Sequence, residues 1–438
     1  MPRIAFSTLG CKINQFDTAV MQSSVTTGKD YSIVSFDDEA DIYVINTCTV
    51  TGKSDSESRR IIRRTLRKNR NARVVVTGCY AQISPDEIAM IPGVSMVLGN
   101  NEKLTLKKYL KDSEEVVTDI DNNIHVSDIF KTSSIQRPVI SEFQAKTRAI
   151  LRVQDGCDSR CSYCIVPFAR GISRSLNPDD VIAQIKSLCS NGYKEVVLSG
   201  VHLGGYGRDL LPRLSLSDVI RMILSGTDIR RIRLSSIEPR EVTNELIELI
   251  AEEERICNHF HMPLQSGDDY ILNRMNRNYD AAFYEALICK IKDKIKDAGI
   301  GCDVMVGYPG EEERHFNNTY RLIEKLPITY LHVFAYSPRK GTAAYNINDT
   351  VKGDVKAHRS ELIRNLGAEK NLAFKTAHIG KVVDVLVEDE RDEVTGLLKG
   401  YTGNYLRVLI NESVIIKNII RVQITGIMNG SLSGKLFG

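Results

Sequence analysis

The sequence predicts an α/β protein in three parts: an N-terminal doubly wound parallel α/β domain, a central partial (β/α)6 barrel and a C-terminal small all-β barrel. Three observations predict it. Strand and helix patterns alternate through residues 1 to about 110, which argues for a parallel sheet wound on both faces. A second alternating series supplies six β/α units over about 190 residues, too few to close an eightfold barrel. From about residue 373 the period drops to two, with glycine turns between short strands, the pattern of a small β-barrel.

Taken in order, "RIAFSTLGC" reads as a strand, "NQFDTAVMQSSV" as a helix and "YSIVSF" as a short strand. "DIYVINTC" is a buried strand followed by the helix "SDSESRRIIRRTLRK"; "ARVVVTGC" and "VSMVL" are two more strands. The first domain is expected over 1–111. The polar, aperiodic stretch 112–147 is expected to be a linker. The second domain, 148–370, has strands "RAILRVQ", "EVVLSGV", "IRRIRLSS", "HFHMPLQ", "CDVMVGY" and "YLHVFAY". The third, 373–438, has "GKVVDVLVED", "GLLKGYTGN", "YLRVLI" and "IIRVQITGI".

Bulk composition excludes several classes. No apolar run approaches the length needed to cross a bilayer, and the N-terminus enters a strand without a signal-peptide apolar region, so a cytoplasmic protein with no membrane partner is expected. Net charge is only +3, so any nucleic-acid surface must come from local clustering. Ten cysteines in a long chain of this kind point to metal or redox chemistry more than to disulfides.

"DGCDSRCSYCIVPFARG" places Cys157, Cys161 and Cys164 in a C-x3-C-x2-C spacing just after the first strand of the second series. Such loops open at the carboxyl ends of barrel strands, where barrel enzymes place their chemistry. Neither a histidine nor a fourth cysteine lies nearby, although structural zinc sites and ordinary iron–sulfur sites use four ligands. Three thiolates can hold three irons of a cubane and leave the fourth for a small chelating molecule. The competing reading is a zinc site completed by a distant histidine.

A second trio is spread widely. Cys11, Cys48 and Cys79 are separated by 37 and 31 residues, yet each ends a predicted strand, beside glycine or threonine. In a parallel sheet the carboxyl ends of neighbouring strands lie side by side at the ligand-binding edge. The three thiols are therefore expected to converge and to leave another iron open; the alternative is three buried core cysteines. Cys189, Cys257, Cys289 and Cys302 are read as core residues.

These stretches carry a resemblance. The Cys157–Cys164 motif, with Tyr163 before its last cysteine, looks like the signature of the radical S-adenosylmethionine (SAM) superfamily. With "TLGCKINQFDT", "VINTCTVTGKSDSESRRIIRR", "VVVTGCYAQ" and "HMPLQSGDDYILNRM", essentially the whole chain resembles the methylthiotransferases. Their architecture is an N-terminal cluster domain, a radical SAM barrel and a C-terminal TRAM domain. The resemblance implies two [4Fe-4S] clusters on the two cysteine trios, SAM as cofactor, and use of two SAM molecules. It implies SAM contacts at Tyr163, at Gly200 and His202 in "VVLSGVHLGGYG", at Ser235, Ser236 and Glu238 in "RLSSIEP", at Gln265 in "HMPLQSG", and at Met305 and Val306 in "DVMVGYPGE". Taken singly, each of those loops could equally serve to shape the backbone. "NTCTVTxKSD" and the basic helix after it look most like the MtaB branch, which methylthiolates C2 of threonylcarbamoyl-adenosine next to the tRNA anticodon. The branches acting on isopentenyl-adenosine or on an aspartate of a ribosomal protein are the alternatives, and a non-catalytic iron–sulfur RNA-binding regulator is a third. The chemistry implied needs a reducing electron donor and a sulfur source.

RNA is suggested independently by "RRIIRRTLRKNR", seven arginines and lysines in twelve residues without an acid. On a helix, Arg59, Arg63, Arg67 and Arg70 fall near one face with Arg60 and Arg64 adjacent. An all-positive stripe suits a polyanion, here the tRNA anticodon stem-loop rather than DNA, better than a solvated face of mixed sign. "KGYTGNYLR" adds Tyr401 and Tyr405 among basic residues, which suits base stacking. Arg170 and Arg174 are read as contacts to SAM or to substrate.

Overall fold

The structure is a computed structural model that describes residues 1–28, 30–111, 123–135, 137, 140, 147–412 and 414–438. Its strands are β1 (Arg3–Thr8), β2 (Ser32–Val34), β3 (Ile42–Thr47), β4 (Arg73–Gly78), β5 (Val94–Leu98), β6 (Ile124–His125), β7 (Ala149–Arg152), β8 (Gln154–Asp155), β9 (Arg174–Ser175), β10 (Glu195–Ser199), β11 (Arg231–Leu234), β12 (His259–His261), β13 (Gly299–Val306) and β14 (Tyr330–Ala335). β15 (Val382–Arg391), β16 (Leu398–Thr402), β17 (Arg407–Ile410), β18 (Ile419–Met428) and β19 (Ser431–Leu436) follow. The chain divides into two compact units: Met1–Glu142 with Arg152–Asp180 and Ser337–Tyr345, and Phe143–Leu151 with Val181–Tyr336 and Asn346–Gly438.

The first unit is built on a sheet of order β2-β1-β3-β4-β5-β6, every pair parallel. All six residues of β3 are buried, as strands covered on both faces must be. Alternate residues feed two cores. Ile4, Val44, Val75, Met96 and Leu98 pack on one side, while Ile45, Val74, Val76 and Val97 pack on the other. The helix Gly52–Lys68 starts where the Thr51 hydroxyl accepts from the Ser54 amide, and it buries Ser58, Ile62 and Thr65. β6 falls inside the stretch expected to be a linker: Val97 and Leu98 recruit Ile124 and His125 to the sheet edge. A two-residue match is too short for periodicity to reveal. Residues 112–122, 136, 138, 139 and 141–146 of that stretch lie outside the described residues.

In the second unit the six strands of the partial barrel form two hydrogen-bonded triplets, β11-β10-β7 and β12-β13-β14. A single bridge between Ile232 and Ile256 continues the first triplet towards the second. The helix Gly353–Thr376 packs on β14, and Gly367 is where they meet: a Cβ there would lie 3.1 Å from Leu331. The C-terminal part is a closed five-stranded barrel, β15-β16-β17-β19-β18, filled by Val385, Val387, Val408, Ile410, Val422, Ile424 and Leu432. Its last strand escaped the sequence pattern because "SLSGKL" offers too few apolar residues to alternate. Of the cysteines read as core, Cys257 and Cys302 are buried, but Cys289 is exposed on its helix.

Candidate metal centres

In the first unit, β1, β3 and β4 are neighbours whose ends are flush, with Thr8 opposite Asn46 and Thr47 opposite Gly78. Cys48 and Cys79 directly follow β3 and β4, and Cys11 lies three residues beyond β1. The turn before Cys11 is possible only with glycine. Gly10 has φ of +93°, and a Cβ on it would lie 2.7 Å from the Cys48 Cβ and 2.8 Å from its Sγ. Asn14 pins this turn by donating to the Leu9 carbonyl at 2.8 Å and the Thr47 carbonyl at 2.9 Å. Gly78 repeats the device between Cys48 and Cys79, its φ at +98° and an added Cβ only 2.4 Å from the Thr47 oxygen.

The three thiols feel one another. Burial first, then the neighbouring Cys79, pushes Cys48 up to about 11. Such a thiol holds its proton at neutral pH, so metal binding must displace it. Asn100 supports the group from the side, its amide nitrogen 3.8 Å from the Cys79 sulfur and donating to the Ala169 carbonyl at 2.7 Å. Lys103 in turn donates to the Asn100 amide oxygen at 2.7 Å. Three sulfur donors steadied by an amide donor fit a thiolate-held iron–sulfur cluster.

The same unit contains the second trio. Gly156, with φ of +73°, leads into it where a Cβ would overlap the Ile172 carbonyl. The Cys157 amide donates to the Gly171 carbonyl at 3.0 Å and the Cys164 amide to the Cys161 carbonyl at 3.1 Å, while the Ser162 carbonyl accepts from Ala344 at 2.7 Å. All three cysteines and Tyr163 are half-buried, the exposure that a cluster open to a ligand requires.

Beside both trios runs a buried charge network that sequence reasoning missed. Asp17 meets Lys103 at 2.7 Å, Arg152 at 2.8 Å and Arg170 at 3.0 Å. Asp155 meets Arg152 at 3.1 Å, Arg170 at 3.5 Å and Arg174 at 3.8 Å. Arg170 and Arg174 are thus buried and paired with carboxylates, which corrects their reading as ligand contacts. The sequence hint was "NQFDT", a charged residue among the positions that bury Phe16, Ala19 and Met21 of its helix.

The basic helix is also less uniform than its sequence. Arg59 pairs with Glu87 at 2.9 Å, Arg60 with Glu57 at 2.5 Å and Arg64 with Asp37 at 3.2 Å. The acids come from outside the twelve-residue window, which is why the window read as all-positive. Arg63 and Arg67 are exposed, and among the described residues neither has an ion pair.

In the second unit the stretches expected to meet SAM sit at or near carboxyl strand ends. Gly200 and Ser235 directly follow β10 and β11. The hydroxyls of Ser199 and Ser235 are buried without hydrogen-bond partners among the described residues. Orphaned hydroxyls at strand ends fit a polar ligand. His202 is held by Glu241 at 2.8 Å, Glu238 pairs with Arg277, and Ser236 Oγ meets His261 Nδ1 at 2.6 Å. Gln265 sits at a bend with φ of +63°. Met305 is half-buried, but Val306 is fully buried because the pleat turns it to the opposite face of β13; only its backbone is available to a ligand. Tyr401 and Tyr405 are stacked, with centroids 5.3 Å apart. Arg148 lies 4.4 Å from Tyr401, and Arg233 lies 4.8 Å and His259 4.9 Å from Tyr405. The rings are half-buried in internal packing, not set on an open stacking surface as expected.

The comparisons with known proteins agree with this geometry. Residues 3–99 match the family described as Uncharacterized protein family UPF0004, and residues 151–323 match the Radical SAM superfamily. The chain is 38% identical to the threonylcarbamoyladenosine tRNA methylthiotransferase MtaB of Bacillus subtilis, covering 97% of this chain and 94% of that one. It is 32% identical to the tRNA-2-methylthio-N(6)-dimethylallyladenosine synthase of Clostridium novyi, covering 99% and 96%. In fold it is similar to the radical SAM methyltransferase TsrM of Kitasatospora setae, with a TM-score of 0.57 at 14% identity over 79% of this chain and 77% of that one. The chain belongs to the methylthiotransferase family of radical SAM enzymes, tRNA-modifying proteins whose superfamily chemistry uses a [4Fe-4S] cluster and SAM.

Proposed function

We propose that this enzyme adds a methylthio group to C2 of threonylcarbamoyl-adenosine next to the tRNA anticodon, acting in the cytoplasm with a reducing electron donor and a sulfur source. Cys157, Cys161 and Cys164 would hold the cluster that binds SAM, and Cys11, Cys48 and Cys79 a second [4Fe-4S] cluster. The observation that carries this reading is the convergence of three thiols on the ends of β1, β3 and β4 in the unit that also contains the C-x3-C-x2-C loop. Residues 1–111, 148–370 and 373–438 would be the cluster domain, the radical SAM domain and the TRAM domain.

When bound, the clusters and two SAM molecules supply the radical chemistry and the methylthio group; the protein supplies position and shelter. Gly10 and Gly78 bring the sulfurs together, and Asn100 donates towards the Cys79 sulfur. Tyr163, Gly200, His202, Ser235, Ser236, Glu238, Gln265, Met305 and the Val306 backbone are the residues proposed to receive SAM. Arg63 and Arg67, with Arg59, Arg60 and Arg64 beside them, are proposed to meet phosphates. Tyr401 and Tyr405 would serve RNA only through the edges that their internal packing leaves free. Among the described residues no helix is long and apolar enough to cross a membrane.

The test is a pair of single variants assayed on tRNA under anaerobic conditions. Cys48→Ala should still cleave SAM to 5′-deoxyadenosine but lose methylthiolation, whereas Cys161→Ala should lose both. Methylthiolation retained by Cys48→Ala rejects the second cluster. Nucleoside mass spectrometry on tRNA from a deletion strain names the substrate directly. Loss of the methylthio form of dimethylallyl-adenosine instead would favour the second reading, which rests on the 32% identity to the Clostridium novyi synthase.

A further inference from the structure

The partial barrel of the second unit has a layered lumen. Residues 299, 301, 303 and 305 of β13 share one face, and residues 330, 332 and 334 of β14 share the matching face. Leu331 points the other way, against Gly367 of the following helix. Gly301 leaves room for the Tyr330 ring, which a Cβ there would strike. Tyr330, His259 and Tyr405 close the lower end as an aromatic floor, with His259 Nε2 2.8 Å from the Tyr330 hydroxyl.

One layer up, His261, Asp303 and His332 converge from three adjacent strands, their ligating atoms within 4.8 Å of one another. His332 Nδ1 lies 3.2 Å from Asp303 Oδ1. His261 Nε2 lies 3.3 Å from the same oxygen, so both imidazoles share one carboxylate. Ser236 holds the other nitrogen of that ring at 2.6 Å, so the imidazole is fixed with Nε2 towards Asp303 and the lumen. Above this layer come Met305 and Phe334; Phe334 is 43% exposed, a large apolar ring open to solvent.

We propose that His261, Asp303 and His332 form the pocket that reads the N6-threonylcarbamoyl tail of the target adenosine. This deepens the proposed function and rests on it. The lumen suits a ligand in two parts: a flat ring against Phe334, and below it a tail carrying both hydrogen-bond donors and an anion. A threonylcarbamoyl group has ureido N–H and hydroxyl donors that Asp303 accepts, and a carboxylate that the two imidazoles meet. A dimethylallyl tail has none of these, and seating it would press apolar surface on three polar side chains and take water from them without offering a partner. Sites built to hydrogen-bond a ligand reject the analogue that lacks those groups far more strongly than apolar pockets reject an extra methyl.

The experiment uses the holoenzyme and two anticodon stem-loop RNAs of one sequence, one with threonylcarbamoyl-adenosine and one with dimethylallyl-adenosine. Binding is read by fluorescence anisotropy and turnover as kcat/KM. His332 has a side chain 54% exposed, so His332→Ala is expected to fold, with its iron content as the control; His261→Gln is the second variant. The wild type should prefer the threonylcarbamoyl RNA, and each variant should lose about 10- to 100-fold of that preference, the worth of one hydrogen bond to a charged group. A wild type without the preference overturns the functional reading, and the pocket with it. A wild type with the preference and variants that keep it overturns the pocket alone. So does one equivalent of zinc carried by the wild type and absent from His332→Ala, since that makes the layer a metal site.

Discussion

Replacing Asp17 with asparagine removes one charge and almost no volume, and the structure says what that charge does. The carboxylate is fully buried and faces Lys103, Arg152 and Arg170, whose side chains are no more than 3% exposed. In Asp17→Asn, Arg152 and Arg170 keep only Asp155 as an acidic partner, and Lys103 keeps none among the described residues. Removing one partner of a buried ion pair costs about 3–5 kcal/mol, because the remaining charge is left uncompensated. The loss is local, so amide hydrogen exchange over β1 and β3 is the assay; a loss of about 3 kcal/mol speeds exchange by more than about a hundredfold. Burial works to raise the Asp17 carboxyl, and Lys103, Arg170 and Arg152 more than reverse it, leaving it below its ordinary 3.8. A carboxyl lowered on folding stabilises above its unfolded value and loses that contribution only in stronger acid. The difference between wild type and variant should therefore stay constant from about pH 7 to 5. Exchange within about threefold of wild type would mean that the network is not holding the sheet together, and the reasoning would fail.

Gly10→Ala should cost about 1–3 kcal/mol through its positive φ alone, and the Cβ placed 2.8 Å from the Cys48 sulfur should lower iron and labile sulfide towards one cluster per chain, measured after anaerobic reconstitution. His378 is lowered below 6.5 mainly by burial; its Nδ1 faces the Phe374 carbonyl and its Nε2 accepts from Asn404 at 2.9 Å. A histidine lowered on folding stabilises above its unfolded value and loses that contribution as pH falls through it. Exchange in β16 and β17 should therefore accelerate below about pH 6.5, and His378→Gln should flatten that dependence. Arg63→Glu with Arg67→Glu should weaken tRNA binding and reduce the slope of log K against log salt by about two, one for each phosphate no longer neutralised; an unchanged slope would place the RNA elsewhere.

The parts of this protein that were legible in the sequence are those where local pattern and global role coincide. A strand that ends in Thr-Cys or Gly-Cys shows both its period and its chemistry, and parallel topology alone sets the ends of β1, β3 and β4 side by side. The radical SAM loop was legible because its three ligands sit within eight residues of one another. What stayed hidden depends on partners far apart in the chain. Arg170 reads as a free cation until the fold brings it to Asp17 and Asp155. The basic helix reads as a uniform stripe until Glu87 and Asp37 reach it.

The His261–Asp303–His332 layer is the sharpest case of this. Each residue lies in a strand whose sequence shows only alternation, and in register His332 faces Asp303 while His261 faces Gly301. Their convergence needs three strands, the curvature of the barrel and the absence of a side chain at Gly301, which no single-strand pattern encodes. The thiol sites announce the reaction class because cysteine is rare and its ligand chemistry narrow. Histidine, aspartate and serine serve many structural roles besides binding, so the residues that would select one adenosine over another become visible only when the lumen they share is seen whole.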